Sequence, residues 1–229
     1  MKISIIIPVL NEAETIGRLV TELHRRENGA IGEIVVVDGG SADATVARAE
    51  EAGARVFASE EKGRAVQMDF GAERARFPML YFLHADSRPP EQFDQKILRA
   101  HREGYPAGCF RLAFDWDHPV LNFYAWCTRF DLDAFRFGDQ SLFISKELYD
   151  RIGGYKTGLI LMEDNEIIRR IKNDQPFKIL PDEVVTSARK YRANGVVRLQ
   201  LIFTMIYVLF FLGISQERLI RIYKKFISG

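Results

Sequence analysis

Several side chains able to do chemistry stand directly after apolar runs. Asp38 follows Glu33–Val37 and precedes Gly39, Gly40 and Ser41. Glycine lets the backbone turn sharply and a ligand approach, so a carboxylate there can accept hydrogen bonds from a base or a ribose. The same group can instead close an Asx-turn, with Ser41 free to cap the helix that follows. His84-Ala85-Asp86 follow Met79–Leu83. Alternation along an extended segment points His84 and Asp86 to one side. Asp86 suits a divalent cation bridging a diphosphate, because hard cations prefer carboxylate oxygens; the competing reading is a cap on the turn into Pro89-Pro90. Glu163-Asp164 open a helical pattern. The helix dipole favours acids there, and either could serve as a general base if it reached the proton of a nucleophile. Lys62-Gly63-Arg64 could meet phosphate at a helix start, and Arg189, Lys190, Tyr191 and Arg192 form a basic run that a negative leaving group could use. Both also read as solvated faces. His24, His101 and His118 read as structural or exposed.

The elements that would position these groups alternate. Ile3–Ile7, Glu33–Val37, Arg55–Ala58 and Met79–Leu83 read as strands. Ala13–Arg26, Asp43–Ala52 and Lys62–Arg76 read as helices between them. Continuous β-branched runs such as Ile3–Ile7 fit strands buried on both faces. Strand–helix alternation at this spacing predicts βαβ units, a mostly parallel sheet, and ligands bound beyond the carboxyl ends of the strands. Pro8–Glu12, Asp38–Ser41 and His84–Asp86 then converge on one edge. The second half is less regular. Strands are expected over Ala107–Phe114, Ser141–Ile144 and Phe177–Leu180, a helical aromatic stretch over Pro119–Phe135, and a helix over Met162–Ile171.

The 229 residues leave room for one large domain with a small appendage. Hydrophobic residues at 47% and charged residues at 28% argue against global disorder. Lys+Arg at 32 against Asp+Glu at 31 disfavours general nucleic-acid binding. Cys109 and Cys127 lie outside any Cys-x-x-Cys pair, so they read as buried free thiols, with a disulfide possible by count alone. Met1-Lys2 and the run after it meet Pro8 and polar residues too soon for a signal peptide, and a cytoplasmic protein is expected. From Leu201 to Ile214 nearly every residue is apolar, with Arg198 before the run and Arg218, Arg221, Lys224 and Lys225 after it. The run falls short of the ~20 apolar residues of a membrane span. Packing on its own domain, a homodimer through 199–214, and insertion into a membrane surface all remain open.

Taken together these residues resemble family 2 glycosyltransferases of the GT-A fold. The matching pieces, in the family's order, are Ile6-Ile7-Pro8-Val9-Leu10-Asn11-Glu12, Val36-Val37-Asp38-Gly39-Gly40-Ser41-Ala42-Asp43-Ala44-Thr45, Lys62-Gly63-Arg64 with Gly71, Phe82-Leu83-His84-Ala85-Asp86, and Glu163-Asp164. The resemblance is closest to the radical-SAM- and selenodomain-associated transferase subgroup. It implies a GT-A domain over 1–192, with a nucleotide-binding half at 1–106 and an acceptor half at 107–192, and a helical appendage at 193–229. It implies a UDP- or GDP-linked sugar donor, held by Pro8, Leu10, Glu12, Asp38, Gly39, Ser41, Lys62, Arg64, His84 and Ala85, with Arg189 and Arg192 serving the leaving group. Asp86 matches the last acid of the family's Asp-x-Asp motif and would hold Mn²⁺ or Mg²⁺. Asp164, beside Glu163, matches the base that deprotonates an acceptor hydroxyl for inverting transfer. His84 replaces the motif's first Asp, a departure that bears on nucleotide choice more than on metal binding; an imidazole suits Mn²⁺ better than an all-oxygen Mg²⁺ site. Gly138-Asp139-Gln140 falls at acceptor-facing positions. Phe123, Tyr124, Trp126 and Phe130 either line an acceptor cleft or form core. The apolar C-terminal run fits a lipid-linked acceptor and a protein peripheral at the inner membrane face, and fits a dimer equally.

Other classes compete. A Rossmann dehydrogenase would carry Gly-x-Gly-x-x-Gly where Pro8-Val9-Leu10-Asn11 stands. A nucleotidyltransferase would need a glycine-rich, Arg-containing loop after the first strand, and would release pyrophosphate rather than a nucleoside diphosphate. A non-catalytic nucleotide-sugar-binding or partner module is favoured by His84 and opposed by the intact Asp38, Asp86 and Asp164.

Overall fold

The computed structural model describes residues 1–136 and 138–227. The first half follows the alternation: β1 (Ile3–Val9), α1 (Ile16–Arg26), β2 (Ile31–Asp38), α2 (Thr45–Glu51), β3 (Arg55–Ala58), α3 (Arg64–Arg74) and β4 (Met79–Phe82). Then come β5 (Ser87–Arg88), α4 (Phe93–Arg102), β6 (Ala107–Phe114), α5 (Pro119–Cys127), short 3-10 turns at Asp133–Phe135 and Gly138–Gln140, β7 (Leu142–Ser145), α6 (Lys146–Arg151), α7 (Glu163–Asp174), β8 (Phe177–Thr186), α8 (Arg189–Asn194), α9 (Val196–Phe211) and α10 (Gln216–Phe226).

One eight-stranded sheet runs in the order β3-β2-β1-β4-β7-β6-β8-β5. β1 to β4 are mutually parallel, β7 is antiparallel to β4 and β6, and β8 runs parallel to β6. β5 pairs antiparallel with β8 at the far edge although it follows β4 almost at once. Four strand spacings are ~19 Å in a flat sheet. The steps from Phe82 to Ser87 reach at most ~18 Å fully extended, and the segment is bent, with Ser87 N–H donating to His84 O at 3.1 Å. The sheet therefore curls, and His84–Asp86 crosses its mouth.

Burial on both faces explains the β-branched strands. Ile3, Ile5, Ile7 and Val9 pack with α1 and α4 residues on one face; Ile6, Val35 and Val37 pack with α3 and α7 residues on the other. Gly71 of α3 permits that second contact, since a Cβ there would lie 2.6 Å from Ile6 Cγ2.

Several sequence expectations are corrected. α1 and α3 start later than the pattern predicts because polar loop residues precede them. Helix is confined to Pro119–Cys127 within the aromatic stretch, and Phe123, Trp126 and Phe130 are exposed, so these three are not core. β8 continues past Leu180 to Thr186, paired with β6. β5 and α6 are too short to carry a period; α4 does carry one, with Phe93, Ile97 and Ala100 buried at helical spacing, and was passed over in the sequence reading. Cys109 and Cys127 are buried and unlinked, and burial pushes the Cys109 thiol up to about 11. His118 caps α5, its Nδ1 accepting from Val120 N–H at 3.2 Å.

Candidate active site

Crossover helices and parallel strands bring their functional ends to one edge: carboxyl ends of β1, β2, β4, β6 and β8, amino ends of α3 and α7, and, because it runs antiparallel, the amino end of β7. The first two loops are stitched together. Gly39 N–H donates to Val9 O at 2.9 Å, Asn11 N–H to Ser41 Oγ at 2.8 Å, and Ala42 N–H to Asn11 Oδ1 at 2.8 Å. From α3, the Gln67 amide donates to Val9 O and Val37 O. A Cβ on Gly39 would meet that amide at 3.0 Å, a contact tight enough that the amide would have to shift. Asp38 closes an Asx-turn, accepting from the N–H groups of Gly40 and Ser41 and from Ser41 Oγ. Ser41 does not cap α2, whose N-cap is Ala44 with no side-chain bond; Asp43, just before it, accepts from Thr45 N–H at 3.0 Å. Pro8 lies within buried β1, Leu10 is exposed at the rim, and Lys62 lies over the loop, its Cε 4.0 Å from a Cβ built on Gly40.

The next loop holds the acids. His84–Asp86 is a turn rather than an extended segment, so alternation does not set its side-chain directions, yet both side chains face the same charges. His84 Nδ1 lies 3.3 Å from Asp139 Oδ1. Burial would pull the imidazole down, but the hydrogen bond to Asp139 and the charges of Asp164 and Asp139 outweigh it, and His84 is held above its usual value. Burial would raise Asp139, but His84, Arg64 and Lys190 hold it low. Asp86 is raised by burial first, then by the negative charges of Asp139 and Glu12, against His84 and Lys190. No hydrogen bond among the described residues engages the Asp86 carboxylate, so it does not cap the turn into Pro89-Pro90. Ala85 is part of the α1-side core, leaving only its backbone for a ligand.

On the far side of His84 stands the start of α7. Met162 precedes it with φ 70°, and Asn11 before Glu12 has φ 55°; both non-glycine residues sit where a loop must aim an acid. Glu163 and Asp164 differ in their partners. Glu163 is 2% exposed, and Arg64 Nη2 lies 2.8 Å from its Oε1. Burial and the neighbouring Asp164 raise Glu163 despite Arg64, and Glu163 in turn raises the guanidinium. Asp164 Oδ1 accepts from the buried Tyr155 hydroxyl at 3.1 Å, and no donor among the described residues is bonded to Oδ2. Arg64 therefore belongs with the Glu163–Asp164 cluster rather than standing free at its helix start.

The last basic run divides. Arg189 reaches Glu12 Oε1 at 3.4 Å and lines a cavity of about 290 Å³ bordered by Asp86, Arg18, Arg88 and Asp115. Arg192 is committed to Asp115 and lies over the Trp116 ring. Lys190 is the member whose charge bears on both Asp86 and Asp139.

No group of three or more metal-ligating side chains exists among the described residues. The donor set still fits one hard cation: a half-buried carboxylate, crowded by like charges, with no competing hydrogen bond. Mg²⁺-type sites commonly use one or two protein carboxylates and take the remaining ligands from phosphates and water.

Residues 4–158 match the family described as glycosyl transferase family 2. The chain belongs to this family. Among family 2 relatives, a glucosyl-3-phosphoglycerate synthase of Mycolicibacterium smegmatis is 41% identical over 58 residues, covering 25% of this chain and 19% of the relative. A dolichol-phosphate mannosyltransferase of Pyrococcus furiosus is 30% identical over 109 residues, covering 45% and 31%. The chain thus spans a minor part of the length of these curated relatives. The mannosyltransferase PcManGT of Pyrobaculum calidifontis, solved with GDP-Man and Mn²⁺, superposes with a TM-score of 0.70 at 16% identity, covering 91% of this chain and 62% of that one. A glucosyl-3-phosphoglycerate synthase of Mycobacterium tuberculosis, solved with Mg²⁺ and UDP, gives 0.62 at 17%, covering 93% and 80%. These likenesses establish the GT-A fold.

Gln67 and Tyr155 are not singled out by the sequence, Lys190 is read there only as one member of a basic run, and Asp139 only as an acceptor-side residue. Asp139 was the recoverable one: an antiparallel strand beside β4 must begin at the ligand edge. Its carboxylate lies 3.3 Å from His84 Nδ1, which puts an acid from another segment beside that histidine.

Proposed function

We propose that this chain transfers a sugar from a UDP- or GDP-linked donor to an acceptor hydroxyl, with inversion. The observation that carries the reading is the gathering of Asp86, the His84–Asp139 pair and Asp164 into one set of interacting charges at the carboxyl edge of the sheet. The solved relatives carrying UDP with Mg²⁺ and GDP-Man with Mn²⁺ support the donor class.

The Asp38 turn and the β1 loop form the floor for base and ribose, with Pro8, Leu10, Gly39 and Ser41 shaping it. Asp86 would hold Mn²⁺ or Mg²⁺, which supplies Lewis-acid stabilisation of the departing diphosphate when bound. Lys190 and Arg189, with Lys62 at the other flank, supply positive charge near that diphosphate. Asp164 takes the acceptor's proton: Tyr155 fixes one oxygen and leaves the other for the hydroxyl, whose oxygen then forms the new bond to the anomeric carbon as the sugar–phosphate bond breaks. Glu163 holds Arg64 beside it and is an anchor, not a second base.

The test is product analysis with UDP- and GDP-sugars. Asp164→Asn should lower turnover about 10²–10⁴-fold while donor affinity stays within about threefold. Loss of donor binding in that variant would remove Asp164 from the role of base, and release of pyrophosphate would assign the chain to nucleotidyl transfer.

A further inference from the structure

Helix α9 turns an apolar stripe to solvent opposite its packed face. Val196, Leu199, Ile202 and Ile206 are buried, while Val197, Leu201, Met205, Val208 and Leu212 are exposed, Leu201 and Leu212 to 65% and 71%. Spacings of three and four keep the exposed set on one side. From Val197 to Leu212 the stripe runs ~22 Å and carries no charge. A surface of this kind on a soluble domain marks an interaction site.

The neighbouring helix indicates what covers it. In α10, Leu219, Ile222 and Tyr223 pack on α9, and Arg218, Arg221, Lys224 and Lys225 are exposed. Four cations against the single acid Glu217 make the outer side of that helix basic. A second copy docking here across a two-fold axis would set these cations against themselves, since such an interface pairs each patch with its own image. An anionic lipid surface matches both helices, taking the stripe at the acyl boundary and the cations at the headgroups. Among the described residues no helix is long and apolar enough to cross a membrane, which fits a hairpin lying in the interface plane.

The hairpin is also fastened to the site. Gln216 Oε1 accepts from the N–H groups of Ile160 and Leu161, just before α7, and Lys190 Nζ lies 3.4 Å from Tyr223 Oη. We propose that the α9–α10 hairpin binds an anionic bilayer in its plane and so presents the mouth beside Asp164 to acceptors carried by lipid. The acceptor part rests on the proposed transfer activity; the membrane contact stands without it.

Sedimentation of the full chain with vesicles tests the contact. The unmodified protein should bind phosphatidylcholine–phosphatidylglycerol vesicles at low salt, much less at high salt, and phosphatidylcholine alone weakly. Charge reversal at Arg218, Arg221 and Lys225 should weaken binding roughly a hundredfold, and Leu201→Gln with Val208→Gln at least tenfold, with thermal unfolding and nucleotide binding unchanged. No preference of the folded, unmodified protein for anionic vesicles would overturn the proposal. So would a dimer by light scattering that the α9 variants dissociate, because a second copy would then occupy the stripe.

Discussion

Asp164 and Glu163 are adjacent acids with opposite assignments, and the difference is in what each touches. Glu163 is spent on Arg64; Asp164 keeps an oxygen free. Glu163→Gln should therefore retain far more turnover than Asp164→Asn, while losing about 1–2 kcal/mol of stability, the Arg64 side of the pair being 44% exposed. Turnover and denaturant unfolding of the two variants check this, and equal loss of turnover in both would dissolve the distinction. The His84–Asp139 pair makes a pH prediction. His84 is raised above 6.5, so its contribution is complete below that value and is lost as pH rises through the folded value. Asp139 is lowered below 3.8, so its contribution holds above that value and is lost as pH falls through the folded one. The stability gap between the unmodified protein and Asp139→Asn should be widest between pH 3.8 and 6.5 and shrink above it. Unfolding free energies across pH measure the gap, and one that stays flat to pH 9 would mean that His84 does not change charge over that range, against the prediction.

At the scale of elements, the site's geometry depends on α3 lying tight on β1 and β2. Gly71 allows it, and Gly71→Ala should cost about 1–3 kcal/mol, because a methyl group has no free space between Ile6 and Val37. Denaturant midpoints check that; an unchanged midpoint would show that the helix can lift. Elements of this half were legible because their signal is local: a β-branched run, then a stripe at helical spacing, then glycine. The second half was legible only in pieces. β5 has two residues, and its pairing with β8 is set by sheet curvature, which no window of sequence carries. α6 has six residues and borrows its stability from Ser145, whose Oγ accepts from Leu148 N–H. Among the candidate site residues, strand-end groups such as Asp38 and Asp86 were legible by position alone. Asp139 and Tyr155 were not, since each works by reaching a residue far away in the chain or on another element.

For the molecule as a whole, curling the sheet is what makes one site out of scattered ends. It carries β8 and α8 round to β5, so that Arg189 meets Glu12 across the mouth and Lys190 stands near Asp86. The same curl places the α9–α10 hairpin beside the entrance to α7. On the proposed function, this edge binds a nucleoside diphosphate through a cation held at Asp86. Calorimetric titration of UDP and of GDP, each with and without Mn²⁺, tests it most directly. One nucleotide should bind, binding should need the metal, and Asp86→Ala should abolish it while the protein stays folded. Binding that is indifferent to metal and to Asp86→Ala, or no binding of either nucleotide to a folded sample, would contradict it.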